Sequence, residues 1–215
     1  MMASHLGLLL ALTLVSPLWG QQADNTMKEE PVTRNLPIAH YPFGDTDAGL
    51  VLGDAAARAA SQHKVIFLDF DASWCEPCHQ MNKFLDAPEI RSVFDKYFVM
   101  VKLVVLEEVE KTKRSRPNTP GGAEFLVKFH GANDKGVVDS VPFIVLLDAS
   151  GEPIVNSKPL NKKGEEGTNI GYPSDPKEIH WFMDMLQKAV PMMTVEESDT
   201  IRKWLNKHGD KYHPA

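Results

Sequence analysis

The residues able to do chemistry gather in one stretch, Lys64 to Met81, which reads KVIFLDFDASWCEPCHQM. Cys75 and Cys78 are the only cysteines among 215 residues, and two residues separate them. A dithiol at that spacing can pass two electrons by making and breaking one disulfide. The apolar run before Trp74 has the composition of a buried strand, and a helical pattern follows Cys75. Cys75 would then stand at a helix N-terminus, where unpaired N–H groups and the positive end of the dipole favour a thiolate. Being nearer the helix start, Cys75 is expected to be exposed and to attack. Cys78, one turn further in, is expected to be more buried and to resolve the mixed disulfide. A purely structural bridge explains the pair less well, because so short a loop restrains the unfolded chain little.

Two other chemistries use the same residues. Cys75-Glu76-Pro77-Cys78-His79 matches C-x-x-C-H, the attachment motif of c-type haem, for which Met81 or Met100 could supply a second axial ligand. Zinc could use the two cysteines with His79 and a distant histidine, although no second paired-ligand motif is present. Pro77 between the cysteines and the strand leading into them favour the redox reading, which requires no cofactor. Asp69 interrupts an otherwise apolar strand, where a carboxylate without partners is costly, and Asp71 lies two residues on, on the same face. Asp69 is thus either a buried functional acid or a carboxylate at an exposed strand edge.

The elements that must position these residues follow from pattern. Asp47 to His63 has helical spacing of Leu50, Leu52, Ala55, Ala59 and Ala60, and Val65–Leu68 is a strand. The helix from Cys75 runs through Met81, Phe84 and Leu85 until Pro88 interrupts it, and Ile90, Val93, Phe94 and Tyr97 extend the apolar face. Phe98–Leu106 is a second strand. Residues 107–122 form a charged, then Pro/Gly-rich loop in which Lys111, Lys113, Arg114 and Arg116, flanked by Glu107, Glu108 and Glu110, read as a solvated surface. A short helix over 123–129 comes next. Val141–Leu147, the turn Asp148–Pro153 and Ile154–Val155 make a hairpin, and 158–173 is a long surface loop. Asp175 and Thr194 each open a capping box and a helix. Parallel strands need helical crossovers and only the last pair has a hairpin-length link, so the expected fold is α/β, a mixed central sheet with helices on both faces and an extra C-terminal helix.

Length and composition bound the rest. A chain of this size with 43% hydrophobic residues can build a sizeable core, and a net charge of −6 opposes nucleic acid as a general partner. Residues 1–20 carry no Asp, Glu, Lys or Arg. The apolar run Leu6–Trp19, about 14 residues, is too short for a membrane span of ~20 but suits a signal peptide. Cleavage after Gly20 would leave a proline-punctuated arm over 21–47. Export to the periplasm or outside the cell is therefore expected, with no stable membrane span.

Three positions together carry a family resemblance. Leu68-Asp69-Phe70-x-Ala72-x-Trp74-Cys75-x-Pro77-Cys78 resembles the active-site segment of the thioredoxin-like superfamily. Ser140-Val141-Pro142 before a strand resembles its cis-proline site, and Asp148-x-x-Gly151 the turn of its final hairpin. The resemblance spans about residues 48–190, leaving 191–215 as a helical extension, and is nearest to exported bacterial thioredoxin-like proteins with enlarged loops. It implies a three-layer sandwich and a thiol–disulfide oxidoreductase acting on protein or small-thiol substrates with a separate redox partner. It implies further that Asp69 is the buried acid near Cys78 that aids proton transfer. Trp74 would cover the cysteines, and a cis Pro142 would hold the Val141 backbone beside the sulfurs to pair with substrate. Two residues depart from the pattern. Glu76 precedes Pro77 in place of glycine, and His79 follows Cys78 in place of lysine; Glu76 should raise the cost of a thiolate at Cys75 and a protonated His79 lower it. A different class of function, a non-catalytic binding module working through loops 107–122 and 158–173, uses the same fold.

Overall fold

The computed structural model describes residues 46–107, 117–132, 138 and 140–209. The expected leader and arm lie outside these residues apart from positions 46 and 47, as does the basic cluster Lys111–Arg116. In chain order the elements are α1 (Ala48–Gln62), β1 (Val65–Asp71), α2 (Glu76–Asp86), α3 (Pro88–Tyr97), β2 (Phe98–Val104), α4 (Gly122–His130), β3 (Phe143–Leu147), β4 (Pro153–Asn156), α5 (Pro176–Ala189) and α6 (Val195–His208).

The strands lie in the order β2-β1-β3-β4. β2 runs parallel to β1, β3 antiparallel to β1, and β4 antiparallel to β3. Because strand side chains alternate between faces, β1 serves two cores. Ile66, Leu68 and Phe70 pack with Val99, Val101 and Leu103, beneath Ala55 and Ala59 of α1 and Leu126 of α4. Phe67 faces the opposite layer, with Ile144 and Leu146 beneath Met81, Phe84, Phe94, Phe182 and Ile201. Burial on both faces explains why β1 reads as a nearly unbroken apolar run. The result is the expected three-layer sandwich with a mixed central sheet.

Several boundaries differ from the pattern reading. β1 continues to Asp71, because Asp69 and Asp71 pair with Lys102 and Val104 of β2 in register. β2 ends at Val104, two residues early, and β3 begins at Phe143, since Pro142 has no N–H to give a ladder. Pro88 interrupts the helical pattern as expected, separating α2 from α3. Ala87 is forced to extended geometry (φ −61°, ψ 128°), and Pro88 then opens α3 at a position where its missing N–H costs nothing. Both capping boxes form, Asp175 with Glu178 and Thr194 with Glu197.

The C-terminal helix α6 shares the main core. Ile201 and Leu205 are fully buried in the cluster that holds Phe84 and Phe182, and the Trp204 ring lies 5.2 Å from that of Phe84. Each such aliphatic side chain contributes about 1.5–3 kcal/mol on burial. Its end is fitted closely: a Cβ on Gly209 would come within 2.7 Å of the Ser174 carbonyl oxygen. The stretch after β4 is less of a surface loop than its composition indicates. Ser157 and Tyr172 at its ends are buried, burial pushes the Tyr172 phenol up to about 12, and an isolated bridge joins Leu160 to Glu166.

Candidate active site

Cys75 is the N-cap of α2, with extended backbone (φ −86°, ψ 108°), and Pro77 occupies the first turn. Its Sγ accepts the Cys78 N–H at 3.1 Å, and the two sulfurs are joined in a disulfide. A sulfur so placed meets both a helix N–H and the positive end of the dipole. The expectation that Cys75 is exposed is corrected: it is 2% exposed and Cys78 1%. The pair packs with Ala72 and Val141 into a small cluster of its own, and the Cys75 Sγ lies 3.3 Å from the Val141 carbonyl oxygen. Trp74 is 47% exposed and donates its indole N–H to the Leu106 carbonyl at 2.8 Å.

Val141 and Pro142 are joined by a cis peptide bond, so the segment before β3 meets the cysteines through the Val141 carbonyl. That segment is held from behind by Asn169. Its amide donates to Ser140 Oγ at 2.8 Å and to the Pro142 carbonyl at 2.9 Å. Its carbonyl oxygen accepts from Ser157 Oγ at 2.7 Å and from the Gly171 N–H at 3.1 Å. Two donors and two acceptor directions are all in use, which is the full capacity of a carboxamide. Nothing in the composition of 158–173 points to this role.

Residues 51–149 match the family model described as thioredoxin-like. The strand order, the C-x-x-C pair capping α2 and the cis-proline beside it agree with that match. The fold is thioredoxin-like. Among solved structures, the chain is similar to a disulphide isomerase from Xylella fastidiosa Temecula1, at 19% identity over 78% of this chain and 96% of that one, with a TM-score of 0.41. It is also similar to a DsbH oxidoreductase at 17% identity, covering 75% and 94%, TM-score 0.41. A third is a putative disulphide-isomerase from Bacteroides thetaiotaomicron at 23% identity, covering 53% and 76%, TM-score 0.34. No curated protein matches the chain in sequence.

Two buried polar groups flank the thioredoxin-like site. On the α2 side of β1, Lys102 Nζ lies 3.4 Å from Asp69 Oδ2 and 3.6 Å from Asp71 Oδ2, with all three side chains at least 96% buried. The same ammonium hydrogen-bonds Asn82 Oδ1. Asn82 sits one turn beyond Cys78 on α2, so i,i+4 geometry places this cluster along the helix face that carries Cys78. Asp69 is therefore buried, on a strand with neighbours on both sides rather than at an edge. Lys102 and Asn82 escaped the sequence reading; a lysine within the apolar run FVMVKLVVL was their one visible signal.

The second group is Glu107, which the charge pattern assigned to a solvated surface. It is 7% exposed, and its carboxylate accepts the N–H and the hydroxyl of Ser73, both at 2.5 Å. The Ser73 carbonyl in turn faces His79 Nε2 at 3.0 Å, and His79 Nδ1 lies 3.3 Å from Glu76 Oε2. Hydrogen bonds from Gln80 and then from His79 hold the Glu76 carboxyl below its ordinary value. Both ring nitrogens of His79 are thus engaged, which does not fit the free axial nitrogen a C-x-x-C-H haem needs. Among the described residues no group of three or more His, Cys, Asp or Glu is arranged to hold a metal ion, and no helix is long and apolar enough to cross a membrane.

Proposed function

We propose that the protein is a thiol–disulfide oxidoreductase, using Cys75 and Cys78 on disulfide-containing or dithiol substrates. The observation that carries this reading is the seat of Cys75 Sγ between the α2 N-terminus and the Val141 carbonyl, 3.3 Å away. In the reducing direction the Cys75 thiolate attacks one sulfur of a substrate disulfide. The mixed disulfide forms and the first substrate thiolate leaves and takes up a proton. Cys78 then loses its proton, attacks Cys75 Sγ and expels the second substrate thiolate. Two electrons and two protons pass to substrate, and the protein is left with the Cys75–Cys78 disulfide; the reverse sequence oxidises a dithiol.

In this reading Asp69 serves as the acid–base group for Cys78, acting within the cluster with Lys102. Val141 and the cis Pro142 present backbone to an extended substrate strand. Trp74 borders the approach to the sulfurs. Glu76, Pro77 and His79 set the potential. The uncharged apolar leader supports export, to the periplasm or outside the cell.

Reduction of a model protein disulfide tests the assignment. Wild type should turn over with a dithiol reductant, Cys75→Ser should fall to background, and Cys78→Ser should accumulate mixed disulfide. Activity that survives Cys75→Ser overturns the mechanism, and a wild type without turnover leaves a binding module on the same fold.

A further inference from the structure

Glu107 is a buried carboxylate that the exchange chemistry does not use, yet both its oxygens are spent on Ser73, two residues before the attacking cysteine. Its own backbone is fixed on both sides by one side chain. Asn118 Oδ1 accepts the Glu107 N–H at 2.9 Å, and Asn118 Nδ2 donates to the Glu107 carbonyl at 3.2 Å. The next residue back, Leu106, takes the indole N–H of Trp74. The end of the β2 segment thus grips the two consecutive residues that lead into Cys75.

The turn that follows depends on that grip. Cys75 N–H bonds back to the Ala72 carbonyl at 3.2 Å, so Ser73 and Trp74 form the bend that delivers Cys75 to its N-cap position. From there Cys75 Sγ accepts the Cys78 N–H, the contact that would stabilise a thiolate. The Ser73 carbonyl also anchors His79 on the first turns of α2, tying the far side of the same bend to the helix. An N–H buried without an acceptor is costly, so a bend without Glu107 would have to open toward water.

We infer that Glu107 is a positioning residue for the Cys75–Cys78 couple, holding Ser73 so that Cys75 is kept in its helix-capping geometry. The inference rests on the redox reading of the pair. Geometry and charge can be separated at this position. Glu107→Asp keeps the charge and withdraws the carboxylate by about 1.5 Å, one C–C bond. Glu107→Gln keeps the reach and removes the charge: its Oε1 accepts the Ser73 N–H, and its Nε2 donates to a Ser73 hydroxyl that rotates to accept.

The experiment measures, on the full chain, the equilibrium of the cysteine pair with glutathione, the rate of disulfide exchange, and hydrogen exchange of the Ser73 amide. Glu107→Asp should shift the glutathione equilibrium about tenfold toward disulfide, equivalent to about 30 mV for this two-electron couple. It should slow exchange by a similar factor and unprotect the Ser73 amide. Glu107→Gln should stay within about threefold of wild type, because a buried hydrogen bond is kept. An Asp variant with wild-type potential and Ser73 protection overturns the inference, and so does a Gln variant as impaired as Asp, which would make charge the cause. A wild type that exchanges no substrate disulfide would instead overturn the oxidoreductase reading. The glutathione equilibrium and Ser73 protection would then still decide the place of Glu107.

Discussion

Glu197 joins the C-terminal helix to the thioredoxin-like core, and its protonation should weaken that joint in acid. Its carboxylate accepts Lys96 Nζ at 2.8 Å and Tyr97 OH at 2.7 Å, both from α3. It also accepts the Thr194 N–H and hydroxyl at 2.9 Å as half of the α6 capping box. Lys96, then Tyr97 and Thr194, hold the carboxyl down at about 2 from an ordinary 4.5, while Glu197 raises Lys96 to about 12 from 10.5. Tyr97 contributes to both displacements, and the carboxylate moves further than the ammonium because it also receives the Thr194 cap. At ~1.4 kcal/mol per pH unit the Glu197 displacement corresponds to about 3 kcal/mol. With Glu197 19% and Lys96 55% exposed, solvent screening reduces this to about 1–2 kcal/mol. A carboxyl whose folded value is depressed stabilises fully above its unfolded value and stops doing so as pH falls through its folded value. The contribution should therefore be complete above pH 4.5 and vanish toward pH 2. Urea unfolding of wild type and Glu197→Gln at pH 7, 4 and 2 measures it. The variant should be about 1–2 kcal/mol less stable at pH 7 and equal to wild type at pH 2. Wild type and variant losing stability in parallel between pH 4.5 and 2 would refute the reasoning.

Two further substitutions probe the supports of the site. Lys102→Met removes the cation buried between Asp69 and Asp71 and should cost about 3–5 kcal/mol in urea unfolding at pH 7, the usual penalty for breaking a buried pair from one side. A loss below about 1 kcal/mol would show that the cluster does not rely on Lys102. Asn169→Ala deletes the side-chain hydrogen bonds to Ser140, Pro142, Ser157 and Gly171. It should destabilise by about 2–4 kcal/mol and raise KM for a protein disulfide more than it lowers kcat, because the Val141 segment loses its backing. Wild-type KM in a folded Asn169→Ala protein would disconnect that loop from substrate.

What the sequence disclosed and what it concealed divide by the range of the physics. The break at Pro88, the capping boxes at Asp175 and Thr194 and the seat of Cys75 before Pro77 are decided within a few residues, so spacing alone reveals them. The two-faced core was legible as well, because β1 buries both sides and shows it as an apolar run. The contacts that brace the site cross long stretches of chain: Glu107 to Ser73 spans 34 residues, Asn169 to Pro142 27, and Lys102 to Asn82 20. In sequence, Glu107 is one acid among several in a charged loop, and Asn169 one polar residue in a Gly/Lys/Asn-rich one. Only the fold turns them inward. The expected exposure of Cys75 failed for the same reason, since Val141, which packs against it, arrives from 66 residues away.

The two departures within the C-x-x-C-H segment acquire a joint meaning from the geometry. As separate charges, Glu76 and His79 pull the Cys75 thiolate in opposite directions. In the fold they face each other at 3.3 Å, with Gln80 Nε2 completing the carboxylate at 2.9 Å. His79 and Gln80 thus hold the Glu76 carboxylate from two sides, and the Ser73 carbonyl fixes the far side of the imidazole. Without His79 the Glu76 carboxylate keeps only Gln80, and its charge acts less restrained on the start of α2. Glu76→Gln should accordingly shift the glutathione equilibrium of the cysteine pair less than the loss of an isolated charge would, and less in wild type than in a His79→Ala background. Equal shifts in the two backgrounds would mean that the pair acts on Cys75 as two independent charges.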